Sequence, residues 1–236
     1  MSAALAISKR DLRTYFNSPV AYLVGAVYML LSGYLFFNTL FIEKQAEMRG
    51  YFGLAPMLFS FIIPAITMRL LAEERGSGTL ELLITMPVRD WEVVIGKFLA
   101  AMGLLTVVLG LTLVYAITLN AIGPVDKGPT YGGYLGLLLM GGAYVSIGLM
   151  ASSLTRNQIV SFIIAFAISF ALYLFGRISQ IVPPSLQSIV AFLSIDSHFE
   201  AISRGVIDSR DFLYYLSIMA VCLIVSTVSL ESRKWK

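Results

Sequence analysis

The chain has 236 residues, 58% hydrophobic and only 13% charged, with a net charge of +3 and a mean hydropathy of +0.82. These values place it among membrane proteins, and a length that holds several spans of about 20 apolar residues leaves no room for a soluble catalytic domain. The small net charge, with basic residues at span ends, argues against a nucleic-acid binder. A single cysteine, Cys222, rules out an internal disulfide, and one histidine with one cysteine cannot build a typical zinc site.

The opening "MSAALAISKRDLRTYF" is not read as a signal peptide, because its charges follow the first apolar residues and no small-residue cleavage site follows an apolar core. Leu5, Leu12 and Tyr15/Phe16 fall near one helical face, with Lys9, Arg10 and Arg13 beside them. This predicts an amphipathic helix over 1–19 lying in the membrane interface, with Pro19 turning the chain into the first span. Six apolar windows then predict spans at about 20–41, 51–71, 97–121, 131–154, 158–176 and 212–230. The expected architecture is an all-α integral membrane protein, 1–236 being one transmembrane domain. Six spans put both termini on one side. That side carries eleven Lys and Arg residues against six on the other. The bias predicts cytoplasmic termini.

Arg69 ends the second span and is expected to snorkel to the interface. Residues 72–96 then form a cytoplasmic loop, the densest polar stretch of the chain. It holds Glu73, Glu74, Arg75, Glu81, Arg89, Asp90 and Glu92, with Lys97 just beyond. Gly76-Ser77-Gly78 reads as a break. Thr79 to Met86 can form one short helix, N-capped by Gly78 and stopped by Pro87, with Leu80, Leu83 and Ile84 on one face. Asp90 is expected to cap the next helix. Two readings of the short helix compete, a second interfacial helix on lipid and a docking knob for a soluble partner. The acidic flanks favour docking, since helices on lipid surfaces usually carry Lys and Arg on their polar face.

The fourth span holds Gly132, Gly136, Gly141, Gly142, Ser146, Gly148 and Ser152. Its small-xxx-small spacing permits close helix approach, within one subunit or at a dimer seam. The turn at Thr155, Arg156 and Asn157 lies on the loop side. Polar groups inside the spans, among them Asn38, Ser60, Thr67, Thr112, Ser161, Ser169 and Tyr173, are expected to bond their own helix backbone or a neighbour. No acidic residue sits mid-span, which argues against a cation relay. Residues 177–211 form an outer segment, broken at Pro183-Pro184, in which "SLQSIVAFLSI" is too short to span and suits a re-entrant or interfacial element. Ser197 and Glu200 have capping-box spacing, Gly205 sits at a C-terminal cap and Asp208 offers an N-cap to the last span. Two short helices are expected there, with His198 in the cap of the second.

No G-x-x-x-x-G-K-[S/T] occurs: Gly96-Lys97 is followed by Phe98 and lacks the upstream glycine. No HExxH occurs and no Ser/His/Asp set converges, so the chain is not expected to be an enzyme on its own.

The stretch "MRLLAEERGSGTLELLITMPVRDWEVVIGKFLA" resembles the cytoplasmic loop of ABC type-2 transporter permeases. It is most similar to the gliding-motility-associated and nitrous-oxide-reductase-maturation subgroup. The matching pattern is Glu73-Glu74-Arg75, Gly78-Thr79-Leu80-Glu81-Leu82-Leu83, Pro87-Val88 and Gly96-Lys97. A second stretch, "SIDSHFEAISRGVIDSRDFLYYLS", resembles that subgroup's outer segment and last span. The resemblance implies that Thr79, Leu80, Glu81, Leu82, Leu83 and Thr85 are the coupling helix that docks a separate cytoplasmic ABC ATPase. Glu73, Glu74 and Arg75 would be its polar hinge. It also implies that ATP and Mg bind the partner rather than this chain, which holds no cofactor. It further implies a second permease subunit, an accessory membrane or periplasmic protein, and a bacterial inner membrane location. A non-transport scaffold or signalling protein is the alternative.

Overall fold

The computed structural model describes residues 3–43, 47–79, 88–123, 126–179, 181–206 and 208–232, and it is all-helical over them. The helices are α1 (Ala3–Asn17), α2 (Pro19–Glu43), α3 (Arg49–Thr67), α4 (Ala72–Gly76), α5 (Asp90–Ile122), α6 (Lys127–Leu154), α7 (Gln158–Ile178), α8 (Pro184–Leu193), α9 (Ile195–Ser203) and α10 (Ser209–Glu231). Six candidate spans are long and apolar enough to cross a membrane: α2, α3 continued through α4, α5, α6, α7 and α10. The short helix expected over 79–86 falls almost wholly outside the described residues.

Helix α6 is the centre of the bundle. Most of it is buried, and its small residues explain how. A Cβ at Gly133 would strike the Phe52 ring, one at Gly141 would strike Leu105, and one at Gly148 would strike the Thr67 hydroxyl. Helices without a hydrophobic drive between them associate through such close contacts. Within the subunit the stripe is therefore filled by α3, α5, α9 and α10.

Around α6 the exposed apolar side chains of α2, α5, α7 and α10 point outward, as lipid contact requires. Inside, hydroxyls join spans. Tyr28 and Tyr51 share a hydrogen bond of 2.9 Å, Tyr51 donates to Thr112 at 3.3 Å, and Tyr134 donates to the Thr112 carbonyl at 2.8 Å. Thr67, Thr112 and Ser60 bond their own helix carbonyls, as expected of hydroxyls in a span. The buried Ser161 and Ser169 hydroxyls do not; they have no partner among the described residues.

Several boundaries differ from the sequence reading. The second span breaks at residues 68–71, before α4. Helix α5 starts at Asp90, one residue ahead of the start that an Asp90 cap would give. Asp90 is thus the first helical residue rather than the cap, and Glu92 instead reaches back to accept from the Arg89 N–H at 3.1 Å. Ser194, not Ser197, caps α9 by accepting from the Ser197 N–H at 3.2 Å. Gly205 ends α9 at φ +85°, and Asp208 caps α10 by accepting from Arg210 N–H at 2.9 Å.

Candidate functional site

The residues expected to form a polar hinge, Glu73, Glu74 and Arg75, lie on the five-residue helix α4, called the hinge below. Its start is built by another span. Ser152 of α6 accepts from the backbone N–H of Leu71 at 3.0 Å and of Ala72 at 2.9 Å, and donates to the Met68 carbonyl at 3.1 Å. One hydroxyl thus satisfies three of the backbone groups that the break at 68–71 sets free. Arg75, buried, donates to the carbonyl and hydroxyl of Ser229 on α10, and the Ser229 hydroxyl donates to the Ser153 carbonyl at 2.8 Å. At its far end, a Cβ on Gly76 would lie 3.0 Å from the Arg156 carbonyl. The Thr155–Asn157 turn therefore packs on the hinge. Gly78, at φ +75°, then turns the chain away, and Ser77 and Thr79 share a hydroxyl hydrogen bond of 2.8 Å.

Glu74 faces α1 and α5. Its Oε1 lies 2.8 Å from the Lys97 ammonium and 3.5 Å from Arg10, and Lys97 also lies 3.2 Å from Asp11 of α1. Glu73 stays exposed. Helix α1 covers this corner. Ala4, Ile7, Leu12, Tyr15 and Phe16 turn toward the protein, while Leu5, expected on that face, is exposed. Lys9, Arg10 and Arg13 are exposed as well. The glycines of α5 admit α1: a Cβ at Gly96 would lie 2.8 Å from the Ala4 carbonyl and 2.9 Å from Ile7. Gly103 meets Leu12.

Between α1, α4 and the end of α3 lies a cleft of about 470 Å³, lined in part by Asp11, Tyr15, Arg69, Glu74, Thr79 and Lys97. Tyr15 lines it and donates to the Ile66 carbonyl at 3.3 Å. Burial pushes the Tyr15 phenol well up, and the nearby Asp11 and Glu73 charges add to it. Arg69 is the exposed residue of the turn at 68–71 and lines the cleft. Among the described residues, no three His, Cys, Asp or Glu side chains come together as metal ligands would.

Of the residues singled out in the sequence, Glu73, Glu74 and Arg75 lie on α4, and Thr79 follows it beyond Gly78. Leu80, Glu81, Leu82, Leu83 and Thr85 lie outside the described residues. Ser152, Ser229, Asp11 and Lys97 complete the site but were not predicted for it. The signal for Lys97 was its place beside Gly96, where a close helix crossing meets a long cation.

This is a multi-pass helical membrane protein in which side chains from several helices converge on the short charged helix α4. The family model described as "ABC-2 family transporter protein" matches residues 1–235, and the chain belongs to that family. The membrane subunits of this family lack an ATPase domain of their own. This chain is similar to "Probable multidrug ABC transporter permease YbhR" of Escherichia coli, strains K12 and O157:H7, at 29% identity over 157 residues. The match covers 65% of this chain and 42% of each relative, so the chain spans less than half their length.

Proposed function

We propose that the chain couples ATP hydrolysis by a separate cytoplasmic ABC ATPase to export or mechanical work across a bacterial inner membrane. The observation that carries this reading is the bracing of α4. A five-residue helix just before residues 80–87 is fastened to α5, α6 and α10 by side chains and to α1 through Arg10 and through Lys97, so a push on that segment reaches four elements at once. In this reading the α1 face is cytoplasmic, and Lys9, Arg10 and Arg13 meet the headgroups. Thr79, Leu80, Glu81, Leu82, Leu83 and Thr85 dock the ATPase, which binds the ATP and Mg. Two copies, or this chain and a close relative, line one pathway, with C2 symmetry the default for identical copies. Helices α8 and α9 form an outer re-entrant hairpin. Membership of the gliding-motility and nitrous-oxide-reductase-maturation subgroup would favour mechanical coupling to an accessory protein. Multidrug cargo, as named for the relative, would favour export.

Purification from the native host in mild detergent tests the reading. A Walker-motif ATPase should accompany the native chain and be lost from Leu83→Arg, which places a charge on the docking face without touching a span. Retention of the ATPase by that variant, or its absence from well-folded native material, would leave a scaffold without ATP coupling.

A further inference from the structure

We propose that Lys97 is a positioning residue that locks α1 to the hinge, so that α1, α4 and the start of α5 move as one lever; the consequence for ATP turnover rests on the function proposed above. Lys97 stands two turns inside α5 and is 2% exposed. A buried ammonium needs charged partners, because desolvation otherwise disfavours it strongly. It has two, from two other elements: Asp11 on α1 at 3.2 Å and Glu74 on α4 at 2.8 Å.

The carboxylates depend on it unequally. Asp11 also accepts from Arg10 Nε at 2.8 Å. Glu74 uses only Oε1; its Oε2 is buried with no hydrogen-bond partner among the described residues. Its other cation, Arg10, lies at 3.5 Å and is half exposed, a geometry that contributes little. The hinge is therefore held to α1 chiefly through the Lys97 ammonium. Gly96, one residue earlier, sets the distance: only without a Cβ can α1 come close enough for Asp11 to reach the same nitrogen. Helix α1 and α5 run in the same direction along this contact, Ala4 and Ile7 lying at Gly96 and Leu12 at Gly103. A displacement of the hinge thus pulls on the whole length of α1.

Spin labels on the exposed Arg13 and Ser77 positions, in a Cys222→Ala background, report the α1–hinge distance in nanodiscs. With the lock intact the distribution is narrow and does not change when nucleotide is added to the complex with the ATPase. In Lys97→Met it broadens and responds to nucleotide. ATP turnover of the assembled complex then falls on the order of tenfold, since misplacing a part remote from the chemistry is enough to do so, while the ATPase still co-purifies. Lys97→Arg keeps the charge and restores the narrow distribution at least in part. The triple variant Asp11→Asn, Glu74→Gln, Lys97→Met removes the stranded carboxylates and separates folding from locking. It should fold as well as the native chain yet keep the broad distance and the low turnover. Recovery of both in the triple variant, or an unchanged distribution in Lys97→Met, overturns the proposal. If no ATPase accompanies even the native chain, the coupling reading fails, and the distance widths in the permease alone still decide the lock.

Discussion

Two small helical elements, α4 and α8, sit at opposite ends of the bundle and are fastened in opposite ways. Helix α4 has only five residues, yet Ala72 and Arg75 are buried and side chains from α1, α5, α6 and α10 bond to it. Helix α8 has ten residues and buries none of them. Its attachment runs through its last turn. His198 Nε2 meets the Phe192 carbonyl at 3.0 Å, and Tyr214 donates to the Leu193 carbonyl at 2.7 Å. His198 in turn lies against Asp211 of α10 at 2.6 Å and stacks on Tyr214. Buried bonds in a low-dielectric site resist displacement, whereas an exposed helix held at one end opens at low cost. Helix α4 is thus the firmly braced element, and α8, called the strap below, the loosely attached one.

The comparison breaks most clearly at Ser152. In Ser152→Ala the Leu71 and Ala72 N–H groups lose their shared acceptor while packing is almost unchanged. Each buried orphan costs about 1–3 kcal/mol, so a loss of about 2–6 kcal/mol is expected. Thermal unfolding in detergent should show it, and hydrogen exchange should quicken at 71–76 before anywhere else. Native-like protection of α4 in that variant would mean the hinge is braced by something other than Ser152.

How much of this the sequence revealed follows the range of the forces involved. The six spans were legible because hydropathy is a local property of each window, and Gly205 and Asp208 because caps act within a turn. Ser152 was legible only as a small residue in a helix seam; that its hydroxyl reaches a broken span 80 residues earlier is a tertiary fact. Lys97 read as one more basic residue at a span end, since its partners stand 86 and 23 residues away. Ser197 was read as the cap from its spacing to Glu200, whereas the cap is Ser194, which accepts from the Ser197 N–H. Leu5 was misplaced because the face of α1 is set by the glycines of α5 that it must approach.

The strap gives the next smaller effect. His198→Phe keeps the ring stack on Tyr214 and deletes both polar links, to the Phe192 carbonyl and to Asp211. Losing such bonds at a part-exposed site lowers global stability by about 1–1.5 kcal/mol. The local effect is larger, with amide exchange across 184–193 accelerating while that of α4 stays native. Equal acceleration at both elements would show that hinge and strap open together, and the contrast between them would be lost.

The smallest effect is a pH dependence beside the strap. Burial holds the Asp196 carboxyl above its ordinary value; the Arg177 charge, 3.5 Å away, opposes this and Glu200 adds to it. The folded chain therefore holds this proton more tightly than the unfolded chain. The stability it contributes is full below the ordinary carboxylate value and is lost as pH rises through the raised folded value. Asp196→Asn cannot titrate, so its melting temperature should fall less than the native protein's as pH rises through that window. At neutral pH the two should differ by only about 0.5 kcal/mol, because Arg177 is more than half exposed and such a pair is worth little. A steeper decline in the variant than in the native protein would mean that the Arg177 pair, not burial, governs Asp196. The strap's root would then be pinned by charge as firmly as the hinge.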